Sequence, residues 1–201
     1  MPRRSQEDRS RSTRAALEQA GRQLFTERGF AATSAEELVS EAGVTRGALH
    51  HHYGDKRGLF LAVLEQLEVE TTEEVERAIA TVDETEVMAG MTVGLGVFLE
   101  LCQRPDMLRI ALTDAPAVLG WQAWREFEAD HGLGVITTQL QRAHAAGMIA
   151  DASIPVLAQL VISVVSEAAL IVAHAEDVEQ ARARVQHSVL LLVSGLLRTE
   201  N

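Results

Sequence analysis

Apolar residues recur along this 201-residue chain every three or four positions, the interval that gathers them on one face of an α-helix. In residues 12–28 the stripe is Leu17, Ala20, Leu24 and Phe25. In residues 55–80 it is Leu59, Phe60, Val63, Leu64 and Leu67, opposite an acidic face of Glu65, Glu68, Glu70, Glu73, Glu74 and Glu76 that reads as solvated. Further helices are expected over 84–103, 106–113, 121–146, 155–174 and 178–198, with breaks at Pro105, at Pro116 with Gly120, at Gly147 and at Pro155. No segment alternates with the period of a strand and no repeat is visible. The pattern predicts an all-α fold of about nine helices.

The stretch between the first two stripes carries the sharpest local signals. Ser34 is a good N-cap, and Glu37 three residues later completes a capping box ahead of Leu38 and Val39. Gly43 ends that helix, because glycine enters the left-handed conformation of a C-terminal cap at little cost. Thr45 caps a second short helix reaching about Tyr53, with Val44 and Leu49 turned inward and Arg46, Gly47, Ala48, His50 and His51 turned out. Two short helices joined in this way form a helix-turn-helix, whose second helix enters the major groove of DNA while the first braces it.

These residues resemble the TetR family of one-component repressors. The likeness covers about residues 12–65 and rests on Leu24 and Phe25, Gly29 and Phe30, Thr33 and Ser34, His50 to Tyr53, and Asp55 with Lys56; His50 stands where the family more often has Tyr. The resemblance implies an N-terminal three-helix DNA-binding domain and a C-terminal helical domain for effector binding and dimerisation. It implies too that a homodimer grips a palindromic, double-stranded operator until an effector moves the long helix from Asp55. The DNA contacts expected are Thr33, Ser34, Thr45, Arg46, Gly47, Ala48, His50, His51 and Lys56. Arg46 would read a base edge or clamp a phosphate, Gly47 and Ala48 would let the backbone approach, and His50, His51 and Lys56 would hold phosphates. The expected division is a flexible basic arm at 1–11, with Arg3, Arg4, Arg9 and Arg11 as candidates for the minor groove, then the DNA-binding domain at 12–60 and the body at 61–201.

Charge first seems to argue against DNA, since the chain carries a net charge of -11. Residues 1–60 hold 10 basic against 8 acidic residues, and the remainder 8 against 21, so the excess of acid lies in the body. Beyond a Debye length of roughly 8 Å that acidity is screened from the phosphates. Cys102 is the single cysteine, which excludes an intrachain disulfide, and the N-terminus lacks the apolar region of a signal peptide. A cytoplasmic location is expected. The apolar run 154–173 is interrupted by Gln159, Ser163, Ser166 and Glu167, and reads as a buried or dimer-facing helix, not a membrane span.

The body offers large, soft side chains suited to an apolar pocket: Met88, Met91, Phe98, Cys102, Met107, Trp121, Trp124 and Phe127. Core packing is the better explanation of any single one of them; together they point to a small apolar or amphipathic effector. Glu167 stands among apolar neighbours, where an ionised carboxylate is costly to bury alone, so it is a candidate for orienting a ligand or for pairing across a dimer. Two more stripes, Leu157, Leu160, Val161, Val164 and Ala168, and Val185, Val189, Leu192 and Leu196, place the dimer interface on residues 155–174 and 178–198.

No catalytic residue, cofactor or metal is expected. Ser194 lies in VSGLL without the flanking glycines of a nucleophile elbow, and there is no glycine-rich phosphate loop. His50, His51 and His52 are neighbours on a helix, about 100° apart, and cannot converge on one ion. Two alternatives stay open: a dimeric DNA-binding protein with no effector, and a helical carrier or enzyme that merely carries this N-terminal fold.

Overall fold

The computed structural model describes residues 6–149 and 153–195, so Arg3, Arg4 and Leu196 lie outside the described residues. Within them the chain forms ten α-helices and one π-helical stretch, and no strand. It divides into two compact units.

The first unit holds the chain up to Leu67 together with Pro105–Gly120. Its helices are α1 (Gln6–Ala32), α2 (Ala35–Glu41), α3 (Arg46–Tyr53), the first half of α4 (Lys56–Ile79), the π-helical stretch Met107–Asp114 and the short α6 (Ala115–Leu119). Leu17, Leu24, Phe25, Leu38, Leu49, Leu59, Phe60 and Leu64 form its buried core. Phe60 meets the rings of Phe25 and Phe30 edge-on, with centroids 5.2 and 5.1 Å away, which ties α1 and the turn after it to α4.

Helix α1 begins at Gln6, so residues 6–11 of the expected flexible arm are helical. Glu7 and Asp8 in its first turn favour this, as acidic groups face the positive end of the helix dipole. At the other end Gly29 takes φ 80° and ψ 167°, which kinks the helix and turns Phe30 inward.

The stretch after Pro105 packs on α1, where two carboxylates hold it. Asp106 accepts two hydrogen bonds from the Arg22 guanidinium, at 2.9 and 2.7 Å, and Asp114 accepts one from the Phe30 N–H at 2.6 Å. The helix expected over 106–113 is a π-helix, with the Ala115 N–H bonded to the Ile110 carbonyl five residues back. It runs on through Pro116, which sits in the first turn of α6 where no N–H is needed, and stops at Gly120.

The second unit comprises Glu68–Arg104 and the chain from Trp121 onward. It contains the second half of α4, then α5 (Val87–Leu101), α7 (Trp121–His131), α8 (Leu133–Ala145), α9 (Ile154–Ala173) and α10 (Val178–Ser194). The single helix expected over 121–146 is split at Gly132, where a side chain would run into Ile162. Packing centres on Val87, Leu140, Ala143, Ile149 and Ala158, and on Val75, Ile79 and Leu101. Gly94 of α5 makes room for Ile79, whose Cδ1 lies 2.9 Å from where a Cβ would be. The division departs from a single break at residue 60, since 61–67 and 105–120 both belong with the DNA-binding helices.

Candidate DNA-binding surface and body sites

The turn between α2 and α3 is built by its caps. Ser34 Oγ accepts from the Glu37 N–H while Glu37 accepts from the Ser34 N–H, the reciprocal pair its spacing predicts. Thr45 Oγ1 accepts from the Ala48 N–H and starts α3. Leu49 anchors α3 from below, and the Tyr53 hydroxyl donates to Glu18 Oε1 at 2.6 Å, pinning its end to α1. Burial and that hydrogen bond push the Tyr53 phenol up to about 12.

Helix α3 leaves Arg46, Gly47, His50 and His51 exposed, with Ala48 half-buried. The Arg46 guanidinium pairs with Glu36 on α2, and both are largely exposed. His50 Nδ1 donates to the Gly54 carbonyl at 2.7 Å, which fixes the ring and frees its other nitrogen for an outside partner. His52 is half-buried, and burial holds its pKa below the usual histidine value.

Two expected phosphate contacts are occupied internally. Thr33 is buried, and its hydroxyl donates to the Gly29 carbonyl at 2.8 Å and lies 3.3 Å from that of Leu24. The Lys56 ammonium donates to the Phe30 and Thr33 carbonyls, both at 2.8 Å, and sits 4.1 Å from the Phe30 ring centroid. Two of its donors and its charge therefore serve the end of α1 and its turn. Lys56→Ala should lower stability by about 2–4 kcal/mol through the loss of two charge-assisted hydrogen bonds. A melting curve unchanged from wild type would remove this assignment.

In the second unit the expected effector residues do not share one wall. Met91 packs with the Val87 and Leu140 group, Phe98 with Val75, Ile79 and Leu101, and Met88 is half-buried on α5. Trp124 stacks on Phe127 at 5.9 Å, and Phe127 covers His131 at 4.4 Å. Three residues lie outside any apolar pocket of the second unit. Met107 is buried in the first unit, carried there by the π-helical stretch. Trp121 is 78% exposed at the start of α7, where it projects into solvent with the Arg125 guanidinium over its ring. Glu167 is exposed, on the outer side of α9, and bears no burial cost within the chain.

The buried acids lie elsewhere. Glu128 is buried, bonded to Arg125 at 3.2 Å and to the Ser166 hydroxyl at 2.9 Å. Glu68, expected to be solvated, is half-buried, and desolvation with the nearby charge of Glu128 pushes its carboxyl up to about 7. Burial also raises the Cys102 thiol, with Glu68 beside it, so that thiol is unreactive. Glu74 of the same face holds Arg104 through two contacts of 2.9 Å. Helical spacing would have singled out Glu68 and Glu128: Glu68 falls four residues after Leu64 and three before buried Thr71, and Glu128 follows Trp124 by one turn.

A carboxyl with a raised folded-state pKa binds its proton more tightly when folded. Its contribution is complete below the ordinary carboxylate value and is lost as pH rises through about 7. The second unit should be less stable at pH 8 than at pH 5 by about 3 kcal/mol from Glu68 alone. Glu68→Gln should flatten that slope in thermal melts; an unchanged slope would show that Glu68 ionises freely.

Comparison with known proteins agrees with this arrangement. Residues 18–63 match "Bacterial regulatory proteins, tetR family", and residues 88–196 match "Tetracyclin repressor-like, C-terminal domain". A crystal structure of a TetR-family transcriptional regulator from Pectobacterium atrosepticum superposes with a TM-score of 0.80 at 33% identity, over 98% of this chain and 100% of that one. The chain belongs to the TetR family. Its TetR-family relatives include the HTH-type transcriptional regulator TtgR of Pseudomonas putida, 37% identical over 102 residues, which are 50% of this chain and 48% of TtgR. The HTH-type transcriptional repressor AcnR of Corynebacterium efficiens is 34% identical over 108 residues, 52% of this chain and 50% of AcnR. The chain thus spans about half the length of the curated relatives it matches. TetR-family proteins are transcriptional regulators, and these relatives are regulators, not enzymes.

Proposed function

We propose that the chain is a cytoplasmic, homodimeric repressor that binds an inverted-repeat operator through α3 and is released by a small effector held in the second unit. The observation that carries the reading is α3 itself. Thr45 caps it, Leu49 and Tyr53 fix it to the first unit, and Arg46, Gly47, His50 and His51 are exposed on its outer side. Arg46 reads a base once DNA displaces Glu36, and the exposed Ser34, His50 and His51 take phosphates.

Arg46→Ala should cost about 1–3 kcal/mol and relax sequence preference at one position of each half-site, with the melting temperature unchanged. Footprinting and anisotropy titration over inverted repeats test this. An asymmetric single footprint, or Arg46→Ala binding with full discrimination, would overturn it.

Helix α9 is long and apolar enough to cross a membrane, with only 28% of its most apolar window buried within the chain. Its polar flank supports a different use: Ser163 and Ser166 bond Arg125 and Glu128, while Leu160 and Ile171 stand exposed. A second copy covers that apolar face. For the effector, a hundredfold weakening of operator binding requires about 2.7 kcal/mol of preference for the released conformation.

A further inference from the structure

His50 is held by one residue at both its backbone and its ring. Gly54 takes φ 77°, a left-handed conformation that glycine enters without strain, and this folds the chain back over the last turn of α3. The Gly54 N–H donates to the His50 carbonyl at 3.0 Å, and the Gly54 carbonyl lies 2.7 Å from His50 Nδ1.

The second of these bonds decides where the ring hydrogen sits. A carbonyl oxygen only accepts, so Nδ1 carries the hydrogen, and in the neutral ring Nε2 is left with a lone pair. Because the side chain is exposed, Nε2 is the nitrogen that an outside partner meets. A phosphate oxygen is an acceptor as well, and two lone pairs facing one another make no bond. His50 therefore donates to DNA only after Nε2 takes a proton from solvent, and its contact is then charge-assisted. His51 is not bound by this rule. Its exposed ring meets His52 edge-on, with centroids 4.9 Å apart, and with no carbonyl fixing its hydrogen it can donate while neutral.

The charged groups on the neighbouring elements are engaged elsewhere. Arg46, one turn earlier on α3, pairs with Glu36 of α2, and Arg14 and Glu18 of α1 gather at Tyr53. After Gly54, Asp55 accepts from the Gly58 N–H and Lys56 holds the Phe30 and Thr33 carbonyls, while Arg57 is exposed in the first turn of α4. The arriving phosphate is thus the anion that favours the His50 imidazolium.

We propose that docking of α3 on DNA is coupled to uptake of a proton at His50, so that operator affinity rises as pH falls. This rests on the reading of α3 as the DNA-facing helix. Beside a phosphate an imidazole binds its proton more tightly than it does in the free protein. Affinity is then greatest below the ordinary histidine value of about 6.5, and falls above it by up to about tenfold per pH unit for each α3 docked.

The test is fluorescence anisotropy at constant salt, with an inverted-repeat duplex selected from a random library by the full chain at pH 6. Wild-type affinity should fall at least tenfold between pH 6.5 and pH 8. His50→Gln, whose amide donates without titrating, should lose most of that fall, and His51→Gln should keep most of it. Glu68 is common to all three proteins, so its own titration cancels in the comparison. Calorimetry of the wild type in two buffers of different ionisation heat gives a second reading: about one proton taken up per protomer at pH 7.5. Flat wild-type affinity, a fall as steep in His50→Gln, or no proton taken up would each overturn the coupling and leave the operator reading standing. A chain that selects no duplex would overturn both.

Discussion

Gly29→Ala is expected to lower the stability of the first unit by about 1–3 kcal/mol and to weaken operator binding at temperatures where the wild type is fully folded. At φ 80° and ψ 167° the backbone lies in a region that residues with a Cβ enter only under strain of about 1–3 kcal/mol. A Cβ there would also strike the guanidinium of Arg109. The turn cannot relax cheaply, because its groups are committed. The Gly29 carbonyl accepts from Thr33, the Phe30 N–H donates to Asp114, and the Phe30 carbonyl accepts from Lys56. Moving any of these breaks hydrogen bonds that place α2 relative to α1. Denaturant unfolding followed by tryptophan-independent circular dichroism measures the loss. Arg109→Ala in the same chain should recover the steric part and leave the backbone strain. A Gly29→Ala protein as stable as wild type would show that the kink is not required.

Leu192→Arg should give a folded monomer with little operator affinity. Val156, Leu160, Ile171, Leu191 and Leu192 are all more than half exposed, an apolar face on α9 and α10 too broad for a solitary soluble protein. In a two-fold interface each substitution counts twice. Losing about 2 kcal/mol per leucine, before adding the cost of a buried charge, raises the dissociation constant roughly a thousandfold. Sedimentation at micromolar concentration separates the species, and circular dichroism checks the fold. Val189, of the stripe first expected to face the partner, is the wrong position for this test. It is 5% exposed inside the chain, as Ala168 is 2% exposed, so a charge at either site would damage the protomer itself. Wild-type protein running as a monomer would dispose of the dimer and of the inverted repeat with it.

How much could be read beforehand depended on the range of each interaction. Ser34, Glu37, Gly43 and Thr45 act within a few residues, and the structure places α2 and α3 within a residue or so of the limits their caps predict. The apolar stripes of α1 and α4 were equally plain, since helical periodicity is itself local. Lys56 was visible as a cation but not as the anchor of carbonyls 26 and 23 residues earlier, because no spacing rule encodes that return. Asp106 and Asp114 lie 84 residues from Arg22 and Phe30 and carried no signal at all. The exposure of Trp121 and Glu167 was hidden for another reason: composition alone does not tell which side of a helix meets solvent.

The segment 105–120 bears on how regulators of this kind can be recombined. A module cut after α4 would look like a complete reading head, yet it would leave the Arg22 guanidinium and the Phe30 amide without the aspartates that complete them. Grafting this head onto another sensor therefore demands two splices instead of one, with the stretch from Pro105 to Gly120 transplanted alongside. A host whose own intervening segment lacks carboxylates at the matching places would receive a head that folds loosely, and its operator affinity would report a missing seam and not a failed sensor.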